Sequence, residues 1–269
     1  MKALLGAHPD DQFFWAASRE ESIAHVLYST YFDTILETGR NHYLTIQGED
    51  TPITATLERL EVAGCFAKKV PAHEIKRYIT PRTSLVTLSW ANPLTGVLHP
   101  IQAIVAACQH HGVLLHIDAS HVLGKLPIRF DQYPIDFLTF DCGILVRQSV
   151  KLGPLICGRV EPDPTDHIKS LLDNLQQNSF EIIRLRDQFE RKLLEETDCE
   201  IIGRDSERLP GVSAIRFSDV YAELLAFHLH HQGIASKCIP GDPTALSFST
   251  LPDLSALTKT LKKIEPVLL

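Results

Sequence analysis

Residues 84–127, SLVTLSWANPLTGVLHPIQAIVAACQHHGVLLHIDASHVLGKLP, constrain the fold of this chain more than any other stretch. Apolar runs at 85–88 and 113–117 flank a segment in which Ile101, Ile104, Val105 and Cys108 recur at helical spacing. Short continuous apolar runs on either side of one amphipathic helix predict a βαβ unit, whose parallel strands are buried on both faces. In such sheets ligands collect at the carboxyl ends of the strands, and Asn92 and Asp118 both fall there.

The rest of the chain alternates in the same way, which predicts an α/β class. Strands are expected at 13–17, 43–47, 65–70, 137–140, 144–146 and 155–158. Ser18 is placed to cap a helix running to about Leu36, with Glu20 and Glu21 in its first turn. Thr51-Pro52 opens another helix, to about Val62, with proline in the permitted first turn. The proline-rich turn Glu161-Pro162-Asp163-Pro164 separates a large α/β domain, 1–162, from 163–269. The second part is read as a long helix over 165–197 followed by a small α+β domain. Its strands are expected at 199–202, 212–217, 234–238 and 245–248, and its helices at 220–231 and 252–268.

Charge narrows the function. A net charge of −7 is wrong for a chain whose main partner is nucleic acid. No apolar run approaches the roughly 20 residues that cross a bilayer, and the amino terminus is a poor secretory signal, so a cytoplasmic location is expected. The six cysteines contain no C-x-x-C pair, which argues against a disulfide framework or zinc ribbon; most are expected to be buried. The histidine bunches at His110–His111 and at His228, His230 and His231 lack metal-ligand spacing and are read as solvated helix faces.

The segment HIDASHVLGKLP, ending the second strand of the opening block, resembles the core of cysteine desulfurases in the class-V aminotransferase superfamily. The resemblance is specific from about Ser84 to Asp136 and follows element order over nearly the whole chain. It implies a fold-type I, PLP-transferase-like architecture: a mainly parallel sheet flanked by helices, with a smaller C-terminal α+β domain. It also implies pyridoxal phosphate (PLP) as cofactor. Asp118 then corresponds to the carboxylate against the pyridine nitrogen, and Asn92 and His121 to donors near the phenolic oxygen. Ser18 corresponds to part of the phosphate cradle, with Arg19 beside it. Asn92 reads equally well as a turn residue before Pro93. In Ser236-Lys237-Cys238 the resemblance places the persulfide cysteine at Cys238 on a mobile loop, its thiolate favoured by Lys237; a strand-end cysteine is the other reading.

Other parts of the family pattern are replaced. Ile144 stands where the Schiff-base lysine belongs, and the nearest downstream substitute is Lys151. Asp50 stands where the family has a ring-stacking histidine, and Ser247 where it has the arginine for the substrate carboxylate. The family's further amino-terminal segment has no counterpart before Met1. These departures imply a degenerate desulfurase-like protein with little or no desulfurase activity that acts through protein binding. It would be a homodimer, with an active desulfurase or a sulfur-carrier protein as partner. The alternative is an active PLP-dependent desulfurase or related class-V enzyme that uses Lys151 for the imine and Cys238 as persulfide carrier.

Overall fold

Seven strands form one sheet in the computed structural model, which describes residues 1–153, 164–173, 175–218 and 220–264. Along the chain these are β1 (Gln12–Trp15), β2 (His42–Ile46), β3 (Phe66–Val70), β4 (Thr83–Ser89), β5 (Leu114–Asp118), β6 (Phe137–Phe140) and β7 (Gly143–Val146). Their spatial order is β1-β7-β6-β5-β4-β2-β3. The five strands from β3 to β6 pair in parallel, whereas β7 runs antiparallel to both β6 and β1. The fold is therefore α/β with a mixed, mainly parallel sheet.

Helices cover it. On one face lie α1 (Arg19–Thr30) and α2 (Thr51–Val62), which bury Ile23, Val26, Leu27, Ile53, Leu57 and Leu60 against Tyr43, Leu85, Phe137, Ile144 and Val146. A single π-type turn, Tyr31–Ile35, carries α1 on into Leu36–Thr38, which accounts for the expected end near Leu36. The short helix α3 (Ile75–Tyr78) and α4 (Ile101–His111) follow β3 and β4. The α4 stripe Ile101, Ile104, Val105 and Cys108 is buried as its spacing predicts. His110 and His111 are exposed in its last turn.

Between β6 and β7 the chain reverses in two residues, Asp141 and Cys142, and Phe140 pairs with Gly143. Asp141 takes φ +45°, which a short polar side chain tolerates. A side chain at residue 143 would collide with the Phe140 ring, so glycine is required there for the close approach. This hairpin fixes the register that decides where residue 144 points.

Contacts divide the chain into two compact units, one of Met1–Asn92 with His99–Asn174, the other of Pro93–Leu98 with Leu175–Leu269. The expected boundary at 162/163 and the expected strand at 155–158 lie outside the described residues. The long helix expected over 165–197 is helical where it is described, over α5 (Thr165–Asp173) and α6 (Leu175–Glu196), and residue 174 lies outside the described residues. The second unit has a four-stranded sheet, β10-β11-β9-β8, built from β8 (Cys199–Ile201), β9 (Ser213–Phe217), β10 (Lys237–Ile239) and β11 (Asp242–Phe248). Its other helices are α7 (Ala222–His230) and α8 (Leu254–Ile264). Its core joins Phe189 and Leu193 of α6 to Ile215, Phe217, Leu225, Leu246, Phe248 and Leu257. The strand expected at 234–238 is shifted, because β10 begins only at Lys237 and turns at once into β11. Among the described residues no helix is long and apolar enough to cross a membrane.

Candidate functional site

Strand register builds the site. Ser89, Asp118, Thr139, Ile144 and Phe14 are consecutive Cα partners across β4, β5, β6, β7 and β1. Paired residues project to the same face, so these five side chains form one row beneath α1, at the carboxyl ends of β4, β5 and β6. Asp118 and Ile144 stand two strands apart in that row, about 10 Å at the usual strand spacing.

The Asp118 carboxylate is wholly buried and has both oxygens engaged. Oδ2 accepts from Nε and an Nη of Arg19 at 3.0 and 2.6 Å. Oδ1 accepts from the hydroxyls of Ser120 at 2.6 Å and Thr139 at 3.0 Å. The other Nη of Arg19 meets Asp50 Oδ2 at 2.8 Å, and that same oxygen accepts from His121 Nε2 at 2.8 Å. Asp50 also caps α2, its Oδ1 accepting from the Thr51 amide at 2.8 Å. The His121 hydrogen bond and the Arg19 charge together outweigh burial and hold the Asp50 carboxyl well below its ordinary range. One guanidinium is thus shared by two carboxylates, one at the end of β5 and one at the cap of α2.

A second layer supports this cluster. His116 is fully buried, with Nε2 3.0 Å from Thr139 Oγ1 and Nδ1 2.7 Å from Thr87 Oγ1. Because the Thr139 hydroxyl spends its proton on Asp118, His116 Nε2 must be the donor and Nδ1 the acceptor. Burial lowers its pKa to about 4, so it remains neutral. Glu49, next to Asp50, accepts from the Ser89 amide at 2.9 Å and the Ser89 hydroxyl at 2.6 Å. Burial, reinforced by the Asp118 charge, pushes the Glu49 carboxyl up in spite of those bonds.

The residues singled out from sequence divide as follows. Asp118, His121 and Asn92 come together at one edge, with Asn92 donating to the Gly48 carbonyl at 3.3 Å. Arg19, expected beside a phosphate, is instead bound to Asp118 and Asp50. His121, expected to face a phenolic oxygen, donates to Asp50. Ser18 caps α1, its Oγ accepting from the Glu21 amide at 3.2 Å. Glu21 reaches back to the Ala17 amide at 2.6 Å, so a carboxylate already fills the helix entrance where a phosphate was expected. Ile144 is completely buried in the apolar cluster under α1. Lys151 is exposed, flanked by Val150 and Leu152, which pack against that cluster. Among the described residues no bond ties Lys151 to the Asp118 network.

Cys238 belongs to the second unit. It is exposed, but sits on β10 with Leu246 as its strand partner rather than on a loop. Burial of its sulfur and the Glu223 carboxylate push its thiol above the ordinary value, opposite to the thiolate expected from Lys237. It borders a groove of about 610 Å³ together with Tyr221, Glu223 and Asp242. Ser247 is buried on β11. Of the five cysteines described, only Cys65 and Cys108 are buried, fewer than expected.

The sequence reading missed Arg19 as the partner of Asp118, and missed Glu21, Glu49 and His116. One signal was available for Arg19: a cation in the first turn of a helix opposes the helix dipole and so needs a carboxylate from elsewhere.

A model of the class-V aminotransferase family matches residues 54–142. A cysteine desulfurase of Nostoc sp. is 27% identical in an alignment 268 positions long that covers 87% of this chain and 66% of that protein. The chain therefore spans just under two thirds of that relative's length. A solved structure of a NifS-like protein matches 99% of this chain and 85% of its own with a TM-score of 0.83 at 19% identity. A NifS-like protein from Rickettsia africae matches 98% of this chain and 85% of its own with a TM-score of 0.79 at 16% identity. At those identities the two structures speak for the fold alone.

Proposed function

We propose that this chain is a cysteine desulfurase-like member of the class-V aminotransferase family that keeps the family's fold without its cofactor chemistry and works by binding other proteins. One observation carries this reading: the Arg19 guanidinium makes two hydrogen bonds to Asp118 and one to Asp50. PLP, the cofactor expected in this family, needs a carboxylate facing its ring nitrogen. Here that carboxylate is already satisfied by a permanent cation, so the residues present do not fit the ring. Two further features agree. The position two strands from Asp118 holds a buried isoleucine, and the α1 entrance holds the Glu21 carboxylate instead of a phosphate.

The proposal includes a homodimer in the cytoplasm, with an active desulfurase or a sulfur-carrier protein as partner. The family relationship supports these points.

The test is to titrate the purified protein with PLP, follow the visible absorbance, reduce with borohydride and assay sulfide released from cysteine. No saturable new band, no adduct and no sulfide are expected. A reduced adduct on Lys151 accompanied by sulfide release would overturn the proposal in favour of an active enzyme using Lys151 and Cys238.

A further inference from the structure

The amino-terminal ends of the parallel strands carry a feature unrelated to the Asp118 edge. β2 joins the two, starting at His42 and running towards Glu49 and Asp50, so the two ends lie about 16 Å apart along the strand. At the His42 end is a cavity of about 270 Å³ lined by His42, Phe66, Lys68, Arg77, Tyr78 and Arg82. No carboxylate lines it. In a chain of net charge −7, three cations around one small recess are a local reversal of sign.

Two of those cations are held in place by aromatic rings rather than by acids. Lys68 Nζ lies 4.1 Å from the centre of the Tyr78 ring, and the Arg82 guanidinium 5.6 Å from that of Phe66. Among the described residues neither has a carboxylate within ion-pair distance. Arg77 alone shares an acid, Glu74, at 3.5 Å. Arg82 spends one Nη on Asn41 Oδ1 at 2.7 Å and keeps its other N–H groups. The strand-end amides are already committed, His42 to Arg82 O, Phe66 to Asn41 O and Thr83 to Thr80 O, so only side chains remain to hold a ligand. His42 responds to the same field: burial first, then the charges of Lys68 and Arg82, lower its pKa.

We propose that this recess binds a phosphate group, free or as a monoester, between Lys68, Arg77 and Arg82. A doubly charged, compact acceptor matches converging donors of which two, Lys68 and Arg82, have no acidic partner among the described residues, and the volume is below that of usual drug-sized sites, which excludes a whole dinucleotide.

The experiment is calorimetric titration of the intact chain with inorganic phosphate and, separately, phenyl phosphate, against chloride at matched ionic strength. Saturable phosphate binding is expected, weakened at least tenfold in the Lys68→Gln/Arg82→Gln double variant. Lys69→Gln is the control, because Lys69 is exposed on the opposite face of the same strand and should leave affinity unchanged. Tighter binding of phenyl phosphate would identify a monoester as the ligand, and equal binding free phosphate. The proposal is overturned if chloride reproduces the heat, if the double variant binds as tightly as the parent, or if Lys69→Gln weakens binding as much. All three side chains substituted here can be checked for intact fold by unchanged thermal melting.

Discussion

Two of the arginines that hydrogen-bond carboxylates through paired bonds, Arg208 in the second compact unit and Arg19 in the first, are used differently. In the second unit Arg208 grips Glu190 one-to-one: its two Nη atoms meet the two carboxylate oxygens at 2.8 and 2.9 Å. Ser213 adds a third bond at 2.8 Å, and the pair is almost sealed, with side chains 4% and 7% exposed. In the first unit Arg19 is shared between Asp118 and Asp50, and its side chain is 18% exposed. The first pair is balanced and purely structural. The second is a cluster of one cation and two acids, gathered where α/β proteins of this topology bind ligands. An arginine confined to packing needs one acid, whereas Arg19 satisfies an arrangement of acids that has a reason of its own.

The largest effect should come from the sealed pair. Arg208→Met strands a buried carboxylate and should cost about 3–5 kcal/mol in urea unfolding, while Arg208→Met/Glu190→Met should recover most of it. A loss below about 1 kcal/mol would erase the contrast between the two arginines.

Acid should separate the two units. His116 has an ordinary pKa of 6.5 and a folded value of about 4, so the unfolded chain binds the extra proton between them. Its contribution is fully present above 6.5 and is lost as pH falls towards 4, a span worth about 3 kcal/mol. His99, also lowered by burial to about 4, acts in the same window. Asp50, held low in the folded chain, extends the loss to lower pH, whereas Glu49, held high, opposes it. His116→Gln should therefore flatten stability against pH by about 3 kcal/mol, with the change in hydrogen exchange confined to the first unit. Equal acid sensitivity in both units would contradict this.

Arg19→Met should cost less, about 2 kcal/mol, because Asp118 keeps the Ser120 and Thr139 hydroxyls and water can reach the edge. A cost matching that of Arg208→Met would make the cluster as structural as the sealed pair. Cys238→Ser should be smallest, under about 0.5 kcal/mol. The Cys238 thiol, lying above its ordinary value, should alkylate at neutral pH more slowly than free cysteine; faster reaction would restore it as an activated thiol.

Much of the fold was legible because it rests on period and burial. The βαβ block, the Ser18 cap and the strands around Asp118 follow from local pattern. The late start of β10 did not, since tertiary pairing decides it. At the site, sequence located Asp118, Asp50, His121 and Ile144 but not their bonds. Asp118 and Arg19 are 99 residues apart in the chain, and no periodicity links them. What a cation at a helix start needs can be read from sequence; which acid supplies it cannot.

The row Ser89–Asp118–Thr139–Ile144–Phe14 also bears on how this edge tolerates change. A lysine introduced at residue 144 while Arg19 remains would bring a second cation to an edge whose acids are already committed. Removing Arg19 first would leave Asp118 without its cation. Either change alone gives a poorer protein, so residues 19 and 144 are coupled through Asp118, and the edge is held less by any single residue than by the pair.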